Sequence, residues 1–118
     1  MAHEDIPYLK HILDTIAEID ISTYNISKED FKKNIDKRDA NIRRVEIIGE
    51  AVKNISENTK RKYLMLEWKK IAGARDVLIH QYWGIDLNLI WGIIKDDIPK
   101  LKKDVAHLLE ELNGVNKK

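Results

Sequence analysis

Apolar residues recur along this chain at intervals of three and four. Ile6, Leu9, Ile12/Leu13, Ile16 and Ile19 form one such series. Ile42, Val45, Ile48, Val52 and Ile55 form a second, and Ile98, Leu101, Val105, Leu108 and Leu112 a third. This is the period of a helix with one greasy face. No stretch alternates long enough to read as a strand, and no Asn-Gly hairpin signal occurs. The pattern and its punctuation predict helices near 4–20, 28–36, 39–57, 67–83, 86–96 and 97–113. Ser27 stands three residues before Asp30, as in a capping box. Asp86 is placed to cap the helix carrying Leu87, Ile90, Trp91 and Ile94. Gly84 suits a break after Tyr82 and Trp83, and Gly114 an end to the last helix. Asp97 precedes Pro99 by two residues, which suits the first turn of that last helix.

Short connections make long neighbouring helices pack antiparallel. The fold class expected is therefore all-α, an antiparallel bundle of about five to six helices, with residues 1–118 as a single domain. Gly49 falls inside the third helix, where glycine costs about 1 kcal/mol relative to alanine. A close approach of two helices there accounts for it. The tail Asn116-Lys117-Lys118 is expected to fray.

Composition narrows the chemistry. The chain has 118 residues and no cysteine, which excludes disulfides, thiolate nucleophiles and thiolate zinc sites. No apolar run approaches the roughly 20 residues of a membrane span, and the acidic start Met-Ala-His-Glu-Asp lacks the layout of a signal peptide. A cytoplasmic location, with no membrane partner, is the expectation. Charged residues make up 35% of the chain yet nearly cancel, to +1. They are unevenly spread: residues 1–36 carry a net of −4 and residues 60–75 a net of +5. The second stretch holds Lys60, Arg61, Lys62, Lys69, Lys70 and Arg75 against Glu67. Such a stretch attracts phosphates, although a solvated helix face also looks like this.

The candidate chemistry is concentrated in Arg75-Asp76-Val77-Leu78-Ile79-His80-Gln81-Tyr82-Trp83. At about 100° per residue on a helix, Tyr82, Arg75, Ile79, Asp76 and His80 share an arc of roughly 160°. A guanidinium, a carboxylate, an imidazole and a phenol then converge on one face. That set suits RNA cleavage without a metal. Attack of a 2′-hydroxyl on the adjacent phosphate needs one proton taken and one given, and imidazole does either near neutrality. Arginine offers a permanent charge and a fork of donors to the phosphate oxygens in the transition state. Asp76 can fix the His80 tautomer and favour its protonated form. Equally, an Asp and a His four apart can be a mere surface pair, and an Arg near aromatics a packing residue.

The other candidates are weaker. His3, His11 and His107 show no metal spacing, and the scattered glycines make no phosphate-cradling loop. Ser22, Ser27 and Ser56 have turn-like or exposed settings, which argues against a serine triad. Trp68, Trp83 and Trp91 can stack bases, but their apolar neighbours favour packing.

Residues 75–82 read Arg-x4-His-x-Tyr. Further matches are Ile47-Ile48-Gly49-Glu50-Ala51, Trp68-Lys69-Lys70-Ile71-Ala72-Gly73-Ala74, Trp83-Gly84-Ile85-Asp86, Leu89-Ile90-Trp91 and Ile98-Pro99-Lys100-Leu101, with Tyr8-Leu9-x2-Ile12-Leu13 at the start. Over almost its whole length the chain resembles the HepT-like toxin family of the HEPN superfamily. The resemblance implies an antiparallel helical bundle of the HEPN type that forms a homodimer. It implies a composite, metal-independent endoribonuclease site with no cofactor, with Arg75 and His80 catalytic, Asp76 supporting and RNA as substrate. It also implies the toxin half of a type VII-like toxin–antitoxin pair. The partner is then an MntA-like minimal nucleotidyltransferase antitoxin, alone or in a higher-order complex, that adds AMP to Tyr82. The residue after the motif arginine is often Asn in this branch; here it is Asp76, whose charge partly offsets Arg75. Glu50 belongs to the Gly-Glu-Ala stretch and is read as structural. Two other readings remain open from the sequence: a non-enzymatic substrate or binding partner of a nucleotidyltransferase, and a structural helical adaptor.

Overall fold

A computed structural model describes residues 2–63, 70–73 and 86–116. A 3-10 turn at Ala2–Asp5 leads into α1, Ile6–Thr23. Then follow α2 at Lys28–Lys33, α3 at Ile35–Lys53 and α4 at Glu57–Lys62. Residues 70–73 are helical. The chain continues with α5 at Leu87–Gly92, a π turn at Ile93–Asp97, and α6 at Ile98–Asn116. Among the described residues there is no strand.

Pro7 sits in the first turn of α1, where its missing N–H costs no helical bond. The helix buries Leu9, Ile12, Ile16 and Ile19 completely. Two threonines share that face. Their hydroxyls donate to carbonyls four residues back, Thr15 to His11 at 2.9 Å and Thr23 to Ile19 at 2.8 Å, so neither is buried unsatisfied. After α1 the chain turns at Asn25, whose φ of 57° lies in the left-handed region that asparagine tolerates better than most residues.

The capping box expected at Ser27 and Asp30 is present: the Asp30 amide donates to Ser27 Oγ at 3.1 Å, and the Ser27 amide to Asp30 Oδ2 at 3.4 Å. Asn34 then serves two helices. Its amide donates to the carbonyl of Asp30 at 3.0 Å, closing α2, and its side chain accepts from the Lys37 amide at 3.1 Å, opening α3. The third helix therefore begins at Ile35, earlier than the position 39 expected from its apolar pattern. It ends at Lys53 rather than 57, because Ser56 caps a separate short helix, α4, through the Thr59 amide at 3.3 Å.

Side-chain ties fix the helix directions. Ser22 and Asn41, and Glu18 and Arg44, link α1 to α3 at 3.0 Å and 3.8 Å. Asp20 and Lys102, and the Thr23 carbonyl and Lys95, link α1 to α6 and the π turn at 3.0 Å and 3.5 Å. Residue numbers fall along α1 as they rise along its neighbours, so α3 and α6 both run antiparallel to α1. Asn41 is fully buried at the α1–α3 contact, yet it is satisfied: it donates to Ser22 Oγ and to the Lys37 carbonyl, and accepts from Arg44. Gly49 is buried on the same helix. Phe31 of α2 is fully buried against Trp91 of α5, with ring centroids 5.2 Å apart, and the Lys95 ammonium lies 4.7 Å from the Trp91 ring centre.

The two last helices of the sequence reading are one rod. The Ile98 amide donates to the Ile93 carbonyl five residues back, so the ladder passes through a π turn instead of stopping. Pro99 gives the reason. It has no N–H for the ordinary bond, and its ring crowds the carbonyl four residues earlier; the wider turn accommodates both. Of the helix expected at 67–83, residues 70–73 are described and helical; the rest, with the break at Gly84, lies outside the described residues. No helix among the described residues is long and apolar enough to cross a membrane.

Candidate functional site

Arg75, Asp76, His80 and Tyr82 lie outside the described residues, as do Trp68 and Trp83. What the structure defines is the frame on either side of the motif. Before it, Ile71 is buried in the core, and Lys70 reaches Asp97 of the π turn at 3.0 Å. After it, the Asp86 carboxylate caps α5, accepting from the amides of Asn88 at 2.9 Å and Leu89 at 3.2 Å. Both flanks are thus tied to the same rod, one at the π turn and one at the start of α5. The cap at Asp86 was legible in the sequence; the Lys70–Asp97 pair was not, since it depends on how the rod packs.

Among the described residues, three open grooves bring polar groups together. One, of about 320 Å³, runs between α1 and α3 and is lined by Tyr8, His11, Arg43, Glu46, Glu50 and Asn54 among others. Glu50 is exposed there while its neighbours Gly49 and Ala51 are buried, so the Gly-Glu-Ala stretch turns two small residues inward and its carboxylate outward. Arg43 and Glu46 pair across one turn at 3.3 Å. Nothing in the spacing signalled this groove, because it joins residues 8 and 11 to residues 43–54.

A second groove, of about 420 Å³, lies along α2 and the start of α3, lined by Ile26, Asp30, Lys33, Asn34 and Lys37. The third, of about 520 Å³, lies between α4 and the end of α6. Asn58, Thr59, Arg61, Lys62, Tyr63 and Leu112 line it. At its edge the Tyr63 phenol is held above its ordinary titration range, first by burial, then by its hydrogen bond to Glu111 and that carboxylate's charge. Glu111 also meets the imidazole of His107 at 3.0 Å. His107 and His11 are both exposed. Trp91 packs against Phe31 and Lys95, the packing role that its apolar neighbours suggested.

Comparison with known proteins places this frame in a family. The family model described as ribonuclease HepT-like matches residues 12–108, a span that includes the motif and both of its flanks. The chain is 43% identical over 101 residues to a Thermococcus cleftensis protein named "Probable ribonuclease HepT", covering 86% of this chain and 90% of the relative. A Caldanaerobacter subterraneus protein named "Putative RNase" is 43% identical over 105 residues, covering 89% of this chain and 94% of the relative. A Methanocaldococcus jannaschii protein named "Gamma-glutamylcyclotransferase and putative RNase" is 45% identical over 106 residues; the match covers 90% of this chain but 48% of that longer protein. No solved structure matches the chain. With a family match running from α1 through α6, and relatives of similar length aligned nearly end to end, the chain belongs to the ribonuclease HepT-like family.

Proposed function

We propose that this chain is an endoribonuclease that cleaves RNA without a metal, its site formed by Arg75 and His80 of two copies facing one cleft in a homodimer. The observation that carries the reading is the family match across 12–108, with Arg-x4-His-x-Tyr intact at 75–82 inside it. His80 takes the proton of the attacking 2′-hydroxyl or returns one to the leaving 5′-oxygen; with two copies at one cleft, both roles can be filled. Arg75 binds the phosphate oxygens as charge accumulates on them. Asp76 acts on His80 by orienting it, and its charge tempers that of Arg75.

In this reading the chain is a cytoplasmic toxin of a type VII-like pair. An MntA-like nucleotidyltransferase silences it by adding AMP to the Tyr82 phenol, two residues from His80. The added bulk and negative charge block the cleft and repel RNA phosphates. The test is RNA cleavage by the purified chain in EDTA. Wild type cleaves, whereas His80→Ala and Arg75→Ala do not, with helical content unchanged in both. Cleavage that requires added metal, or that survives both substitutions, would overturn the assignment.

A further inference from the structure

We propose that the groove between α4 and the end of α6 docks single-stranded RNA, with Arg61 and Lys62 holding backbone phosphates beside the ring of Tyr63. The proposal rests on the ribonuclease reading and adds to it a substrate-holding surface outside the Arg-x4-His motif.

The structure sorts the basic stretch that the sequence could only count. Lys60 is largely buried, and its ammonium lies 3.9 Å from Glu57. Lys70 is committed to Asp97 at 3.0 Å. Arg61 and Lys62 are exposed, and both line the groove. The bond Arg61 makes is to the amide oxygen of Asn58 at 2.9 Å, a neutral partner that leaves its charge uncancelled. Among the described residues, the lining of this groove has two cations and no carboxylate. The other two grooves differ: one carries Glu46 and Glu50 against Arg43, and the other Asp30 beside Lys33 and Lys37. Glu111, beside the basic groove, accepts from Tyr63 and pairs with His107. A positive trough with an aromatic ring at its side is how single strands are held without sequence preference: cations track the phosphates, and a base stacks on the ring. A volume of about 520 Å³ is within the range of small-ligand clefts.

The experiment is fluorescence anisotropy with a labelled single-stranded oligoribonucleotide in EDTA, on a His80→Ala background so that the RNA survives. Arg61→Ala/Lys62→Ala is expected to weaken binding on the order of tenfold at low salt. It should also flatten the plot of log K against log salt by about 1.4, since each phosphate contact on a single strand contributes about 0.7. Arg61→Lys/Lys62→Arg is expected to retain binding. In the chain with His80 intact, the double alanine variant should raise KM and leave kcat unchanged. If the double alanine variant keeps its helicity and melting temperature and binds RNA with unchanged Kd and salt slope, the proposal fails. It fails equally if the charge-conserving pair binds as poorly as the alanine pair. A chain that cleaves RNA normally while neither KM nor Kd responds sinks this groove alone; a wild type that neither binds nor cleaves RNA sinks the ribonuclease reading with it.

Discussion

The carboxylate of Asp5 accepts the backbone amide of Ser56 at 2.9 Å, joining two residues 51 positions apart. The same carboxylate accepts the hydroxyls of Ser56 and Thr59. It is buried, and with Ser56 it closes the N-terminal end of α4 onto the turn that precedes α1. A buried carboxylate with this many donors is stabilising only while the donors are present.

Asp5→Ala is therefore expected to lower stability by about 2 kcal/mol, since it leaves two hydroxyls and an amide without their acceptor. Asp5→Asn, which keeps one acceptor oxygen, should cost less. Urea denaturation of both variants checks the order, and a cycle with Ser56→Ala checks the coupling. A loss for Asp5→Ala no larger than that of an exposed acid such as Glu29 would refute the role.

Phe31 is the largest fully buried side chain of the short helix α2, and it contacts the Trp91 ring. Phe31→Ala should cost about 3–5 kcal/mol, from lost burial and the cavity left beside the indole. The chain would then unfold at markedly lower urea, and Trp91 would lose a wall of its environment. A change under about 1 kcal/mol would mean that α2 contributes little to the core.

Gly92 ends α5 just before the π turn, and a Cβ added there meets nothing within 4 Å. Gly92→Ala is expected to stabilise the rod by about 0.5–1 kcal/mol, because alanine loses less freedom in a helix and has room here. Thermal melting reads the gain. A lower melting temperature would show that the π turn needs glycine for its backbone.

The Tyr63 phenol is held above the ordinary value of 10.0 in the folded chain, by burial first and Glu111 second. The folded state thus keeps this proton to higher pH than the unfolded state does. Its contribution is fully present below the unfolded value and is lost as pH rises through the higher folded one. Stability should therefore fall above about pH 10, more steeply for wild type than for Tyr63→Phe, as urea titrations at successive pH values would show. Parallel curves for the two proteins would rule out the phenol as the source.

Tyr82→Phe is expected to keep RNA cleavage within about threefold of wild type, since the proposed function assigns the proton transfers to His80. It should also escape silencing when the chain is incubated with a cognate nucleotidyltransferase and ATP. Intact-mass measurement follows the AMP adduct, and an RNA assay follows activity. An adduct of the same mass on Tyr82→Phe would move the modification to another residue.

Much of the fold was written in local sequence. The three-and-four spacing of Leu9, Ile12, Ile16 and Ile19, and the similar runs in α3 and α6, are local consequences of helical geometry. So are the caps at Ser27 and Asp86, where a short oxygen-bearing side chain meets amides two or three residues on. The Arg-x4-His-x-Tyr motif and its family were also legible from residue identity and order. Local reading went astray where two signals competed. Ile55 extends the apolar period of α3, but Ser56 begins a new helix; Pro99 reads as a boundary, yet a π turn carries the rod past it. Only tertiary packing decided that Asp5 would find Ser56, that Lys70 would be consumed by Asp97 while Arg61 and Lys62 stay exposed, and that residues 8 and 11 would share a groove with residues 43–54. The physical reason is one of range. Helix period and caps are set by neighbours within about four residues, whereas ion pairs and grooves depend on which helix faces the core has already paired.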